Sequence, residues 1–250
     1  MIKLYKQYKQ SKQKPYLKAL IYAKPGLGKT TLAASCLDHP ELNDVLFINI
    51  DKGLLSIADR EVTVAEIGID ESGVSTGNIV KELEDILFKI VAKQPEYAKF
   101  KTVVIDSATE LQVHNLEDIS KGKNQITQPD YGKDSKALKK VASALRDMPL
   151  NVIITALAKS RFDGPEDAKK LVEIGPALTA SVSEALMAAV NFVWYLGLDP
   201  KSGNRILLTR EMGVIRAKTR NQKFQEMIGD KIENPNLAVL YTKLLEATNV

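Results

Sequence analysis

The chain has 250 residues, 44% of them hydrophobic, and a formal net charge of +4, enough for one large α/β domain with a sizeable core or for two small ones. The lone Cys36 excludes an internal disulfide and a multi-cysteine zinc site, and His39 and His114 are too few and too far apart for a metal centre. No secretory leader and no apolar run of about 18 residues are visible, so a cytoplasmic protein with no membrane partner is expected; the mild positive charge permits a nucleic-acid partner without requiring one.

The first 24 residues carry seven lysines, no Asp or Glu, and Tyr5, Tyr8 and Tyr16 between them. Such an arm either touches nucleic-acid phosphates or a neighbouring subunit, or is a solvated terminus. Leu17 to Tyr22 is an apolar run that predicts a strand, followed by Ala23-Lys24-Pro25-Gly26-Leu27-Gly28-Lys29-Thr30-Thr31 and a helix from Thr30 to Leu37. Strand, glycine-rich turn, Lys, hydroxyl and helix make a phosphate-binding P-loop. Gly26 and Gly28 let backbone N–H groups curl around an anion, and the helix presents its positive end to the same point. Lys29 reaches the β- and γ-phosphates, and the Thr30 hydroxyl suits Mg²⁺. The first glycine of the usual pattern is Ala23, which serves there if its φ stays negative.

Val45 to Ile50 predicts a strand buried on both faces, with Asp51 at its carboxyl end, where open α/β sheets bind ligands. Val62 to Ile67 suits another strand and 72–78 a loop. Ile79, Leu83, Ile86, Leu87, Ile90 and Val91 recur with helical period across 77–93. Thr102 to Ile105 is a β-branched run ending in Asp106, the layout of a Walker B strand whose carboxylate holds the Mg²⁺ water shell beside Thr30, 76 residues earlier.

Residues 111–131 show no clear period and read as partly loop; 134–147 read as a helix. Leu150 to Ala156 predicts a buried strand. Thr155 at its end either senses a γ-phosphate or, as preferred here, has its hydroxyl satisfied inside the sheet. Residues 159–173 read as irregular, and Gly175-Pro176-Ala177 as a helix start. Trp194 is expected in the core of a strand over 191–198, with a turn at 199–204. Residues 205–209 and 214–218 suggest a hairpin, and 237–245 a closing helix. Arg216, Lys218 and Arg220 alternate, so in a strand they share one face and favour an anion opposite, phosphates being one such, over a solvated face.

Ala23–Thr31, Leu46–Leu54, Val103–Ser107 and Asn151–Lys159 resemble, in order and spacing, the α/β core of RecA-like P-loop ATPases. Asp130–Lys133, Ile174–Leu178 and Arg216–Arg220 narrow the resemblance to a phage-encoded group of short RecA-core ATPases that includes single-strand annealing recombinases. The resemblance covers about 17–237 and implies a basic arm over 1–16 and one RecA-like ATPase domain over 17–250. Its central sheet would be mostly parallel and flanked by helices, with a C-terminal antiparallel hairpin. It implies ATP and Mg²⁺ as cofactors, with Lys24 to Thr31 around the phosphates and Thr30 and Asp106 holding the metal. Asp51 would polarise the attacking water from a side chain one methylene shorter than the family's usual Glu. Lys218 and Arg220 would reach the nucleotide of the next subunit in a head-to-tail filament or ring.

Residues 112–131 and 157–174 would match two DNA-binding loops, offering Lys121, Lys123, Asn124, Tyr131, Lys159, Arg161, Phe162, Lys169 and Lys170 to single-stranded DNA. The expectation is a DNA-dependent ATPase that anneals or recombines strands in a host cytoplasm, with further copies of itself and a single-strand-binding protein as partners. The rival expectations are an ATP-responsive loader or scaffold, as for a helicase, and a RecA-like switch with little turnover.

Overall fold

The computed structural model describes residues 14–248 apart from 71, 73, 166 and 167. Its sheet grows outward from β1 (Lys18–Ala23), which is buried at all six residues. On one side β1 pairs in parallel with β5 (Asn151–Asp163); β4 (Thr102–Asp106), β2 (Val45–Asn49) and β3 (Thr63–Glu66) follow, all parallel. On the other side β7 (Phe192–Leu198) is also parallel to β1, and β8 (Arg205–Leu208) and β10 (Lys231–Glu233) continue the sheet antiparallel. The P-loop strand and the Asp106 strand are therefore not neighbours: β5 lies between them.

Continuous apolar strands are explained by helices on both faces. Leu20, Ile48, Val103, Ile105 and Ile154 face α2 (Ile79–Val91), α3 (Ala108–Ser120), α4 (Gln128–Asp147) and α5 (Ala180–Ala189). Ile21, Phe47, Val104 and Ile153 face α1 (Lys29–Ala34), α6 (Gln222–Ile228) and α7 (Leu237–Thr248). In α2 the helical period places Ile79, Leu83, Ile86, Leu87 and Ile90 inside and leaves Phe88 and Val91 exposed. Trp194 is fully buried and stacks on Phe192.

Four expectations are corrected. Residues 111–131 are mostly helical: α3 starts on Ser107, whose hydroxyl accepts from Glu110 N–H at 3.4 Å, and α4 begins at Gln128 rather than at 134. The apolar period was hidden because the α3–α4 contact is polar: buried Asp134 accepts from Gln112 at 2.5 Å and Asn115 at 2.7 Å. Residues 159–173 are not irregular; β5 runs on to Asp163 and β6 (Lys170–Pro176) pairs with it antiparallel, held by main-chain bonds with no apolar alternation to reveal them. Gly175 and Pro176 end that strand, and the helix starts only at Ala180.

The fourth concerns the C-terminal hairpin, which forms between β7 and β8 across the turn at 199–204, not between 205–209 and 214–218. The second of those segments instead sends Ile215 to Ile174 and returns as β9 (Lys218–Thr219) beside the start of β7. Of the basic arm, 1–13 lie outside the described residues; Lys14 pairs with Glu41 at 2.6 Å.

Candidate nucleotide site

The P-loop leaves β1 at Ala23, which is buried and outside the positive-φ region, as a residue replacing the first glycine must be. Gly26 (φ 75°) and Gly28 (φ 87°) are both left-handed, the backbone that L side chains resist. The guanidinium of Arg205 lies over Gly28, 2.5 Å from where a Cβ would stand, a clash that the flexible, exposed side chain relieves by moving, so the left-handed backbone is what demands glycine. The loop opens onto a cleft of about 570 Å³ lined by Pro25 to Thr31, Asp51, Gly53, Ser56, Leu157, Leu198 and Arg205. Lys24 is exposed and outside that lining.

Inside the cleft, Lys29 is only 8% exposed. Burial pulls its ammonium below the usual lysine range, and the nearby carboxylates of Asp106 and Asp51 oppose the shift. Asp106, 1% exposed at the end of β4, accepts the Thr30 hydroxyl on Oδ2 at 2.6 Å and the Thr155 hydroxyl on Oδ1. Thr155 is thus satisfied within the sheet. Asp51 is exposed on the cleft wall, and its N–H and that of Ile50 both donate to the Asp106 carbonyl, at 3.0 and 2.7 Å. These two bonds tie the end of β2 to the end of β4.

The metal fits this donor set. A hydroxyl and a carboxylate meet at hydrogen-bond distance under the P-loop, and Mg²⁺ is commonly held by one or two such groups, waters and substrate phosphates rather than by a protein cage. Among the described residues no cluster of three or more His, Cys, Asp and Glu side chains is arranged to hold a metal ion.

Lys218 and Arg220 do not line this cleft. β9 pairs with Phe192 and Val193, the first residues of β7, whereas the cleft takes Leu198, the last. Lys218 donates to the Met187 carbonyl and Arg220 to that of Ala188 at 2.6 Å, so both cap the C-terminal end of α5. Burial, with Arg220 adding to it, brings the Lys218 ammonium down to about 8. Arg216 bridges Glu184 at 2.7 Å and Glu173 at 3.3 Å. Within this chain the acceptors that these three cations meet are carbonyls and glutamates.

Of the two segments matched to DNA-binding loops, the α3–α4 turn and the β5–β6 hairpin are the exposed parts, and both lie toward the carboxyl ends of the parallel strands. The last turn of α4 packs on Lys18 at the start of β1, so its first turn, about 30 Å away, lies toward the opposite edge. Lys121, Lys123 and Asn124 are exposed in the α3–α4 turn, with Lys123 paired to Asp130, and Tyr131 is exposed on the first turn of α4. Lys159, Arg161, Phe162, Lys169 and Lys170 are exposed on and beside the outer half of the β5–β6 hairpin, with Phe162 56% accessible and Arg161 3.7 Å from Glu173.

Two groups, one lining the cleft and one beside Asp106, were not singled out by sequence. Arg205 had no signal beyond being one of many cations in its segment. Its exposed side chain lies over Gly28, and among the described residues no carboxylate pairs with it. Asn49 interrupts an apolar run, which was a readable signal. Its Oδ1 is buried and accepts from no described protein group.

A parallel sheet whose central strand feeds a Gly-Lys-Thr loop, with an aspartate two strands away bonded to the loop threonine, defines a P-loop nucleoside triphosphatase core. A family profile described as an AAA domain matches residues 16–221, and the chain belongs to that family of nucleotide-binding ATPase domains. A crystal structure of a KaiC-like protein from the hyperthermophilic archaeon Pyrococcus horikoshii is similar at 15% identity and a TM-score of 0.44, over 87% of this chain and 88% of that one. No curated protein sequence matches the chain. No helix among the described residues is long and apolar enough to cross a membrane.

Proposed function

We propose that this chain is a Mg²⁺-dependent ATPase that binds single-stranded DNA and pairs or anneals strands, as its motifs' resemblance to the phage annealing group implies. The observation that carries the reading is the β5–β6 hairpin. It is an exposed finger with cations and an aromatic near its tip, and it grows from the same strand that lines the nucleotide cleft at Leu157. Cations track a phosphate backbone and aromatic rings stack on bases without regard to sequence.

In this reading the P-loop amides and Lys29 bind the β- and γ-phosphates, and Thr30 and Asp106 hold the metal, which neutralises charge on the phosphates. Asp51 accepts from the attacking water and orients it across the cleft from the P-loop. Lys218 and Arg220 complete a neighbour's site in a head-to-tail assembly; their distance from the chain's own cleft supports this, and they must leave the α5 carbonyls to do so. The short Asp51 favours the rival of an ATP-responsive loader with little turnover.

The test is binding of a labelled oligothymidylate, followed by anisotropy with ATP, with a non-hydrolysable analogue and without nucleotide. Affinity should fall steeply with salt, and replacing Lys159, Arg161 and Lys170 with Ala should flatten that slope; F162A should weaken binding at every salt concentration. Affinity indifferent to salt would end the DNA reading. ATP-dependent DNA binding with neither hydrolysis nor strand annealing would favour the low-turnover rival.

A further inference from the structure

We propose that Asn49 is a positioning residue of the nucleotide site, its amide oxygen accepting a hydrogen bond from a water in the hydration shell of the Mg²⁺ beside Thr30 and Asp106. The inference rests on the reading of the chain as a Mg²⁺-dependent ATPase and adds a residue to it.

Two observations place Asn49 beside that carboxylate. It is the register partner of Asp106 across the β2–β4 ladder, one inter-strand spacing away. Side chains alternate along a strand, so Asn49 shares the face of Phe47, as Asp106 shares that of Val104 and Thr155 that of Ile153. That is the face carrying α1 and Thr30. Asn49, Asp106 and Thr155 thus form a row across three adjacent strands at their carboxyl ends, two residues before Asp51 on β2. The two outer members differ in one respect: Thr155 donates to Asp106, while the Asn49 oxygen can only accept.

That oxygen is the second part of the case. Asn49 is 4% exposed, and no described protein group donates to its Oδ1. Native structures satisfy nearly all such groups, and a buried acceptor without a donor bears its full desolvation cost. Thr102 shares this condition, but at the start of β4, at the far end of the strand from Asp106. Thr76 and Gln225 hold such an atom as well, but among the described residues only Asn49 is also the register partner of Asp106, and it lies at a similar depth. Metal-bound waters are strong donors, and groups behind the first shell orient them. An amide suits the position better than a second carboxylate, which would repel Asp106 whenever no cation lay between them.

The test reads metal affinity rather than turnover. Mn²⁺ binding to the protein–ADP complex is followed by electron paramagnetic resonance for the native protein, N49L, N49A and N49D, with ADP binding in EDTA and circular dichroism as controls. N49L should bind Mn²⁺ about tenfold more weakly in the ADP complex, the scale expected for a group behind the first shell, with ADP affinity in EDTA changed less than twofold. N49D should keep or raise Mn²⁺ affinity while melting lower in EDTA. If N49L does not fold, N49A carries the same comparison. Mn²⁺ affinity within twofold of native in N49L, or in N49A where N49L does not fold, would overturn the proposal and leave the ATPase reading intact. A native protein that binds no ADP would instead remove the ATPase reading itself.

Discussion

Lys29 should cost the nucleotide-free protein stability, and K29M should reveal it. The ammonium is 8% exposed, burial depresses its ionisation, and no described group accepts a hydrogen bond from it. The carboxylates of Asp106 and Asp51 attract it only through space, and Asp106 already accepts from Thr30 and Thr155. Methionine keeps the aliphatic stem and its packing while removing the charge. Relieving a functional residue of this kind is commonly worth about 1 kcal/mol, which for a domain of this size raises the melting temperature by about 2–4 °C.

The sign against pH follows from the lowered ammonium. A lysine depressed on folding penalises the folded state at neutral pH, and the penalty fades as pH rises toward the unfolded lysine value, about 10.4. The native protein should therefore gain on K29M as pH rises from neutral. Scanning calorimetry in EDTA without nucleotide measures the melting temperature, and titration calorimetry confirms that ADP binding is lost. K29M melting at or below the native temperature would refute the reasoning, because the two carboxylates would then fully compensate the burial.

Three further outcomes follow from the same geometry. T155V takes one of two hydroxyl donors from a buried carboxylate, so urea unfolding in EDTA should show a loss of about 2 kcal/mol; a loss below about 0.5 kcal/mol would mean that Asp106 does not depend on this bond. R205A should weaken ADP about tenfold, the effect of losing one charge-assisted contact, with R205K recovering part of it; unchanged affinity would mean that the guanidinium over Gly28 never meets a phosphate. Lys218, held down to about 8 by burial, penalises folding below that pH. Native stability should rise between about pH 8 and the unfolded lysine value, about 10.4, and K218M should flatten that part of the melting-temperature profile.

The P-loop and Asp106 were legible because phosphate and metal chemistry demand particular residue types at strand ends, and buried parallel strands announce themselves as apolar runs. Where the forces were main-chain or polar, the sequence was mute. The outer half of β5 pairs with β6 through backbone bonds and exposes its side chains on both faces. The α3–α4 contact rests on Gln112, Asn115 and Asp134, which count as polar in any periodicity. Within the chain Arg216 faces carboxylates, while Lys218 and Arg220 meet helix carbonyls, a partner no charge count can show. Arg205 reaches the P-loop from a strand some 180 residues away, so only the fold brings it there.

β5 is the element through which the cleft and the hairpin can be connected. Within one strand it carries Thr155, bonded to Asp106; Leu157, which lines the cleft and whose N–H donates to Thr109 at 2.9 Å; and then Lys159, Arg161 and Phe162 on the exposed finger. β6 is anchored in turn at the P-loop strand, since the Tyr22 hydroxyl lies 2.9 Å from the Ile174 carbonyl and 2.5 Å from that of Arg216. A change at the nucleotide thus has two short routes to the finger, one along β5 and one through Tyr22. Both cross hydrogen bonds that a single substitution can remove. T155V and Y22F sever different routes, so if DNA affinity responds to ATP through the sheet, T155V should weaken that response along the first route and Y22F along the second. Oligothymidylate anisotropy with and without ATP measures it, and a response unchanged in the double variant would show that the sheet carries none of it.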